Sequence, residues 1–523
     1  MKAFHVVFFI LSLLVVSPFL LENIIAQEEA LVVDSEYAEY SGKQISLSGN
    51  VTIEHELGTI TAHSVDLIPE MDAEKKRSYN LNLLGNVKIV LKDSGELNCA
   101  RADVNYTAKF GIFHNSPEQE FVIYTEYCPD KAGGSVPLVV KSREMKVQIG
   151  KTSDKTTPSH SCLSDIIANE DVTVDYNRDF TAYANQATYH RSNEDSLKST
   201  LPGLITLSAN EGSADENKNG ICQVTNRNGD IIKASLICID TTKRHILFAY
   251  PQGTLHAKKS PNLKQEPITF SSDALIWDDA QSILTLRDHV TIIQNGLGTL
   301  TTDDQIQLFQ QQINDTKQLR AIESTGKTIL VYESSDKKLS HTLTCYGKAL
   351  VDHEHYKTVM DSPRDDQGNV IEGKQVFLHD DMGDIYADRV TIYYNISDQN
   401  FITSKIVLEG HVYILNRGAV DPEKTKAFLE YAIADTVEYA PQANEIYMSA
   451  AGKKRVLFFD RVNNLQVSAP ALKIRRDQTT NKDSIQGMGD VRFSFMKREI
   501  EEIEKHFHLL VDDKEKKKTS EGS

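Results

Sequence analysis

Four things are scarce in this 523-residue chain: tryptophan, cysteine, positive charge and, past the N-terminus, long apolar runs. Trp277 is the one tryptophan, against 20 Tyr and 19 Phe, and apolar residues make up 40%. That balance suits thin β-layers better than one thick core. The six cysteines (Cys99, Cys128, Cys162, Cys222, Cys238 and Cys345) show no CxxC spacing, so there is no zinc signature. They read as buried small thiols, and a two-residue hairpin centred on Asn228-Gly229 sets Ser235, not Cys238, opposite Cys222. With 57 Lys+Arg against 74 Asp+Glu the net charge is -17. This argues against nucleic-acid binding and against adsorption to anionic lipid surfaces.

Catalytic signatures are missing as well. No HExxH, GxSxG or GxGxxG pattern occurs, and nothing assembles a nucleophile, a base and an orienting group. Gly326-Lys327-Thr328 resembles the end of a phosphate loop, but Ala321 stands where a glycine is needed and a strand follows. Asp215-x-Asn217-x-Asn219-Gly220 starts like a calcium loop, yet Asn226 fills the position of the bidentate Glu, so a polar turn is expected. His353-x-His355 and His506-x-His508 have the spacing of metal pairs on a strand but no third ligand, so solvated histidines are expected. The expectation is a protein without enzymatic activity, cofactor or metal.

The N-terminus does hold an apolar run. Lys2 precedes a run over residues 4–16, Ser17-Pro18 interrupts helix, and Ala26 offers a small residue for cleavage. This predicts a secretory signal over residues 1–26 and export of the chain. The alternative is an uncleaved inner-membrane anchor, because residues 3–21 approach the ~20 needed to span a bilayer.

What is abundant is alternation. Residues 49–67, GNVTIEHELGTITAHSVDL, read as two short strands about a turn at Gly58. Val51, Ile53, Ile60 and Ala62 keep period two; then Val65 and Leu67 follow after a step of three. One extra residue, a bulge or corner, returns them to the same side. The same step recurs after Cys99, Ala184, Ala234, Ala387 and Ala469, always behind a small residue, as a crowded corner requires. At Thr302 the step is looser by one residue. A defect repeated at one offset is an internal repeat.

The repeat sets the expected organisation. Repeat regions are expected over residues 27–155, 156–260, 261–400 and 401–496, separated by turn-rich stretches. Ile500, Ile503, Phe507 and Leu510 predict a short amphipathic helix in the tail, 497–523, which would cap the last sheet edge. An apolar stripe recurs at Val51, Ile53, Val87, Ile89, Val172, Val174, Val290, Ile292, Val412, Ile414, Val491 and Phe493. Ile60, Val65, Leu67, Ile385 and Val390 belong to the same side. The stripe is either a filled sandwich core or the wall of an open trough able to hold acyl chains.

The pattern Gly-Asn-Val-x-Ile, then Gly-x-Ile-x-Ala-x-x-Val-x-Leu, resembles the OstA-like repeat of periplasmic lipopolysaccharide-transport proteins, the LptA–LptC type and the N-terminal part of LptD. The match is clearest at residues 49–67, 85–104, 373–392 and 410–414, and weaker at 170–189 and 288–308. The resemblance implies an all-β fold of tandem open β-jellyrolls in an elongated twisted sheet stack. It implies that the stripe residues line a lipid-binding interior and pass lipopolysaccharide or a related lipid towards the outer membrane. It also implies edge-to-edge β pairing with other envelope transport proteins. The chain departs from the family in being much longer than a single-unit bridge, and it lacks the run of barrel strands of a complete LptD. The alternative is a structural or interaction β-repeat protein with a packed interior.

Overall fold

Alternation of apolar and polar residues sends every second side chain to one face, and most of this chain folds accordingly. The computed structural model describes residues 32–494, save 56–57, 72–76, 93–94, 106–107, 130–134, 152–160, 177–179, 192–202, 210–220, 228, 242, 257–266, 295–297, 314–315, 334–339, 381–382, 398–399, 417–429, 462–464 and 478–481. Strands run from Val32–Asp34 to Arg492–Ser494, and the one other regular element among the described residues is the 3-10 turn Pro441–Ala443. The fold is all-β. The N-terminal apolar run, the 215–220 turn and the expected tail helix lie outside the described residues.

The chain forms two compact units: Met1–Tyr124 with Lys146–Leu163, and Thr125–Met145 with Ser164–Ser523. In the first, Ile45–His55, Gly58–Met71, Arg77–Leu91 and Gly95–Asn105 pair antiparallel in chain order. Two apolar rows cross them, Leu47–Val65–Leu83–Ala102 and Ile53–Ile60–Ile89–Leu97, every member buried.

The second unit is built from two ladders. Ala274–Asp278 and Ile283–Arg287 make a hairpin in the first ladder, and Val290–Gln294 and Gly298–Thr302 make the next hairpin in the second. Gln305–Ile313 then returns to the first ladder and pairs with Ile283–Arg287. The alternation continues to Lys482–Met488 in the first ladder and Arg492–Ser494 in the second. The ladders pack face to face: Phe180 of the second meets Trp277 of the first with ring centroids 5.9 Å apart.

The corners between ladders explain the odd step in the sequence. At Gly49-Asn50, Gly85-Asn86, Glu170-Asp171 and Gly410-His411 the register slips, so that two residues oppose one on the neighbouring strand. Both residues of each pair, and of Asp288-His289, have positive φ. Gly, Asn, Asp and His are the residues that tolerate this region best. Four of the corners share one clamp. The residue beyond the corner donates its N–H to the first carbonyl, at 3.1 Å from Glu36 to Gly49, 3.1 Å from Arg143 to Glu170, 3.0 Å from Asp273 to Asp288 and 2.9 Å from Asp388 to Gly410. Its side chain grips the second residue at 2.7 Å in all four: Glu36 with Asn50, Arg143 with Asp171, Asp273 with His289, Asp388 with His411.

The small residues read from the sequence sit at these corners opposite larger partners: Val51 on Ala62, Val87 on Cys99, Val172 on Ala184, Val376 on Ala387, Val456 on Ala469. The looser step at Thr302 is Asp303-Asp304, between Gly298–Thr302 and Gln305–Ile313. A Cβ on Gly410, at φ +73, would run into the Asp388 carboxylate, whereas one on Gly368, at φ +84, meets nothing. Gly368→Ala should therefore cost only the left-handed strain of about 1–2 kcal/mol, and Gly410→Ala measurably more. Urea midpoints followed by Trp277 emission compare the two; equal losses would discard the clamp as a steric element.

Candidate functional site

The space between the ladders of the second unit changes along their length. In the first ladder one inward row runs Ile246, Trp277, Leu284, Leu308 and Ile322, all buried. It continues through half-buried Val351 and buried Thr358 to Ile392, Ile406, Tyr439, Ile446, Ile474 and Ile485, and from Ile392 onward every member is half-buried. The facing row of the second ladder runs Phe270, Ile292, Leu300, Leu330 and Leu343, all buried, then Leu378, Ile385 and Ile414, all half-buried. Both rows loosen towards the same end.

The result is a filled stretch followed by an open one. Among Val224, Ile232, Leu255, Trp277 and Leu284 there is no room for a water molecule. Further on lies a cavity of about 880 Å³, within the ~300–1,000 Å³ of ordinary ligand sites. The first ladder lines it with Tyr439, Ile446, Met448, Ile474 and Ile485, and the second with Leu378, Ile385, Ile414, Ala432 and Phe458. At the strand ends its border turns polar, where Asn416 donates to Glu430 at 2.7 Å beside the buried Asp460. The second-ladder wall is apolar on its other face too, where Leu415, Tyr431 and Phe459 are buried against Tyr386, Tyr413 and Ile433. Apolar packing on both faces holds the wall in place without help from the cavity's contents.

Two polar contacts mark the closed stretch. His353, at the end of Lys348–Asp352 in the first ladder, reaches Gln294 of the second, with Nε2 3.1 Å from Oε1. Its Nδ1 has no partner, and burial pushes the imidazole down to about 4. Where the rows begin to loosen, the Tyr394 and Thr358 hydroxyls are 3.1 Å apart and both side chains are buried. Burial pushes the Tyr394 hydroxyl up to about 12.

The stripe residues divide among these surroundings. Val51, Ile53, Ile60, Val65, Leu67, Val87 and Ile89 are buried in the first unit, and Val172, Val174, Val290, Ile292, Val390 and Val412 in the second. Ile385 and Ile414 line the cavity. Val491 precedes the last strand and packs over Gly487, and Phe493 is 56% exposed on that strand. The rest of the cavity wall, Tyr439 and Ile446 for example, escaped the sequence reading. Each sits in a register fixed by cross-strand partners, and Ile474 alone carried a signal, as the last member of the Ala469 set.

Other expectations are corrected. His353 and His355 differ in surroundings: His353 is buried rather than solvated, whereas His355 is exposed and bound to Asp352 at 2.8 Å. Cys222 faces Ala234 rather than Ser235, because Thr225 pairs with Ile231 and shifts the hairpin by one. Gly326-Lys327 forms a corner, and Thr328 is buried 2.6 Å from the Ser324 hydroxyl. Cys99, Cys222, Cys238 and Cys345 are unbridged. Burial raises the Cys99 thiol to about 12 and those of Cys222 and Cys345 to about 11, which keeps them unreactive near neutrality. No family model and no curated protein matches the chain.

Proposed function

We propose that the protein is a non-enzymatic lipid-binding bridge of the periplasm. It takes acyl chains of lipopolysaccharide, or of a related lipid, into the open part of its interior and passes them towards the outer membrane. One observation carries this: a cavity of about 880 Å³ held between two sheets, walled mostly by apolar side chains and bordered by Asp384, Asn416, Glu430 and Asp460. Each methylene moved from water into such a wall contributes ~0.8 kcal/mol, so a chain of ordinary length binds without any directed chemistry. Exposed edges offer the pairing surfaces for partners. Among the described residues, Tyr37–Tyr40 of the first unit pairs with Ile45–His55 alone and is exposed throughout, and Arg492–Ser494 of the second pairs with Leu465–Ala469 alone.

The second reading, a β-repeat protein with a packed interior, is favoured by the filled stretch around Trp277. Photo-cross-linking separates the two. A probe at Ile385, Ile446 or Ile474 in protein exported from an envelope-bearing host should capture lipid, and a probe at Leu284 or Leu308 should not. No lipid adduct at any of the first three positions would leave the packed-interior reading standing and end the transport one.

A further inference from the structure

The cavity lies in the half-buried stretch of the two inward rows, and that stretch gives way to buried residues at the same level in both ladders. In the first ladder the inward row passes from half-buried Ile392 to Thr358, 1% exposed; in the second, from half-buried Leu378 to Leu343, 4% exposed. At that level the large side chain is Tyr394. It stands two residues beyond Ile392, is 8% exposed and meets the Thr358 hydroxyl across the adjacent strand. Deeper in, His353 and Gln294 join the two ladders. Half-buried Ile406 and Ile392 lead from the cavity wall at Tyr439 towards this level, so a chain following the row out of the cavity meets the Tyr394 ring there.

We propose that Tyr394 is the stop of a blind acyl-chain site and sets the length of chain the protein accepts. This rests on the lipid-binding reading and adds to it a specificity-determining residue. The interior of this unit is then a measured pocket rather than a through-channel. Affinity rises with each methylene until the chain tip reaches the ring. Beyond that length each further methylene stays in water and adds nothing.

The test uses single-chain fluorescent fatty amides lengthened one methylene at a time, kept below their aggregation threshold and titrated into the full-length protein. In the wild type, affinity should climb about fourfold per methylene and then level off. Tyr394→Ala should move the plateau to longer chains, each added methylene again gaining about fourfold. Tyr394→Phe keeps the ring and should keep the wild-type plateau. If the alanine protein fails to show β-rich circular dichroism, Tyr394→Leu makes the same comparison with less loss of core. A plateau unmoved by Tyr394→Ala or Tyr394→Leu overturns the stop while leaving lipid binding intact. No gain of affinity with length in the wild type overturns both.

Discussion

Ile414→Glu should yield a folded protein that no longer retains lipid. Ile414 is half-buried and lines the open cavity, so a carboxylate there can still reach water. The fold loses about half the burial of one isoleucine, roughly 1 kcal/mol. A bound acyl chain fares worse, because it must strip the carboxylate of water, at a cost of several kcal/mol. We expect affinity to fall at least ~100-fold, with the β-rich circular dichroism and Trp277 emission unchanged. The site of the change decides the outcome. Ile53→Glu or Ile89→Glu would put the charge at positions that are 0% and 8% exposed, where unfolding would mask any effect on binding. Retention of lipid by folded Ile414→Glu protein would remove the cavity from the mechanism.

The second large effect is an acid-induced loss of stability that traces to one imidazole. His353 is enclosed, its Nδ1 lacks a partner, and its pKa falls from 6.5 to about 4, chiefly through burial. The unfolded chain therefore takes up a proton between about pH 6.5 and 4 that the folded chain refuses. Stability carries no cost from this group above about pH 6.5 and falls as the pH drops to about 4, by about 3 kcal/mol in all. Below that the group adds no further loss. His353→Gln cannot titrate and should flatten this part of the profile relative to the wild type. Urea unfolding read at Trp277, in the same unit, at pH 7 and pH 4.5 measures the difference. Parallel losses in the two proteins would clear His353 of the effect.

Much of the architecture could be read from residues because corners leave a sequence trace. Gly410-His411-Val412-x-Ile414 announces two left-handed residues and the strand after them, and Ala387 and Ala469 announce a crowded bend. What could not be read is what stands across the gap. Val51-x-Ile53 and Val412-x-Ile414 are the same motif, yet Ile53 is sealed and Ile414 borders open space. The difference lies in strands from another ladder, which leave no mark on the motif itself. Phe493 fits the stripe but falls on the last described strand, where it is exposed and no further described strand pairs. His353 and His355 differ in surroundings because the strand ends at Asp352, and past that point period two no longer governs burial.

Placing successive hairpins alternately in two ladders has a consequence for how the molecule comes apart. Each hairpin bonds mainly to the ones just before and after it in its own ladder, so no segment waits on a distant one to find its place. Such an array behaves as a row of coupled tiles. Removing the last tiles should shorten the cooperative block without dissolving it, and melting should creep inward from the termini. Assembly can begin at any interior pair and spread both ways, which favours rapid growth despite the chain's length.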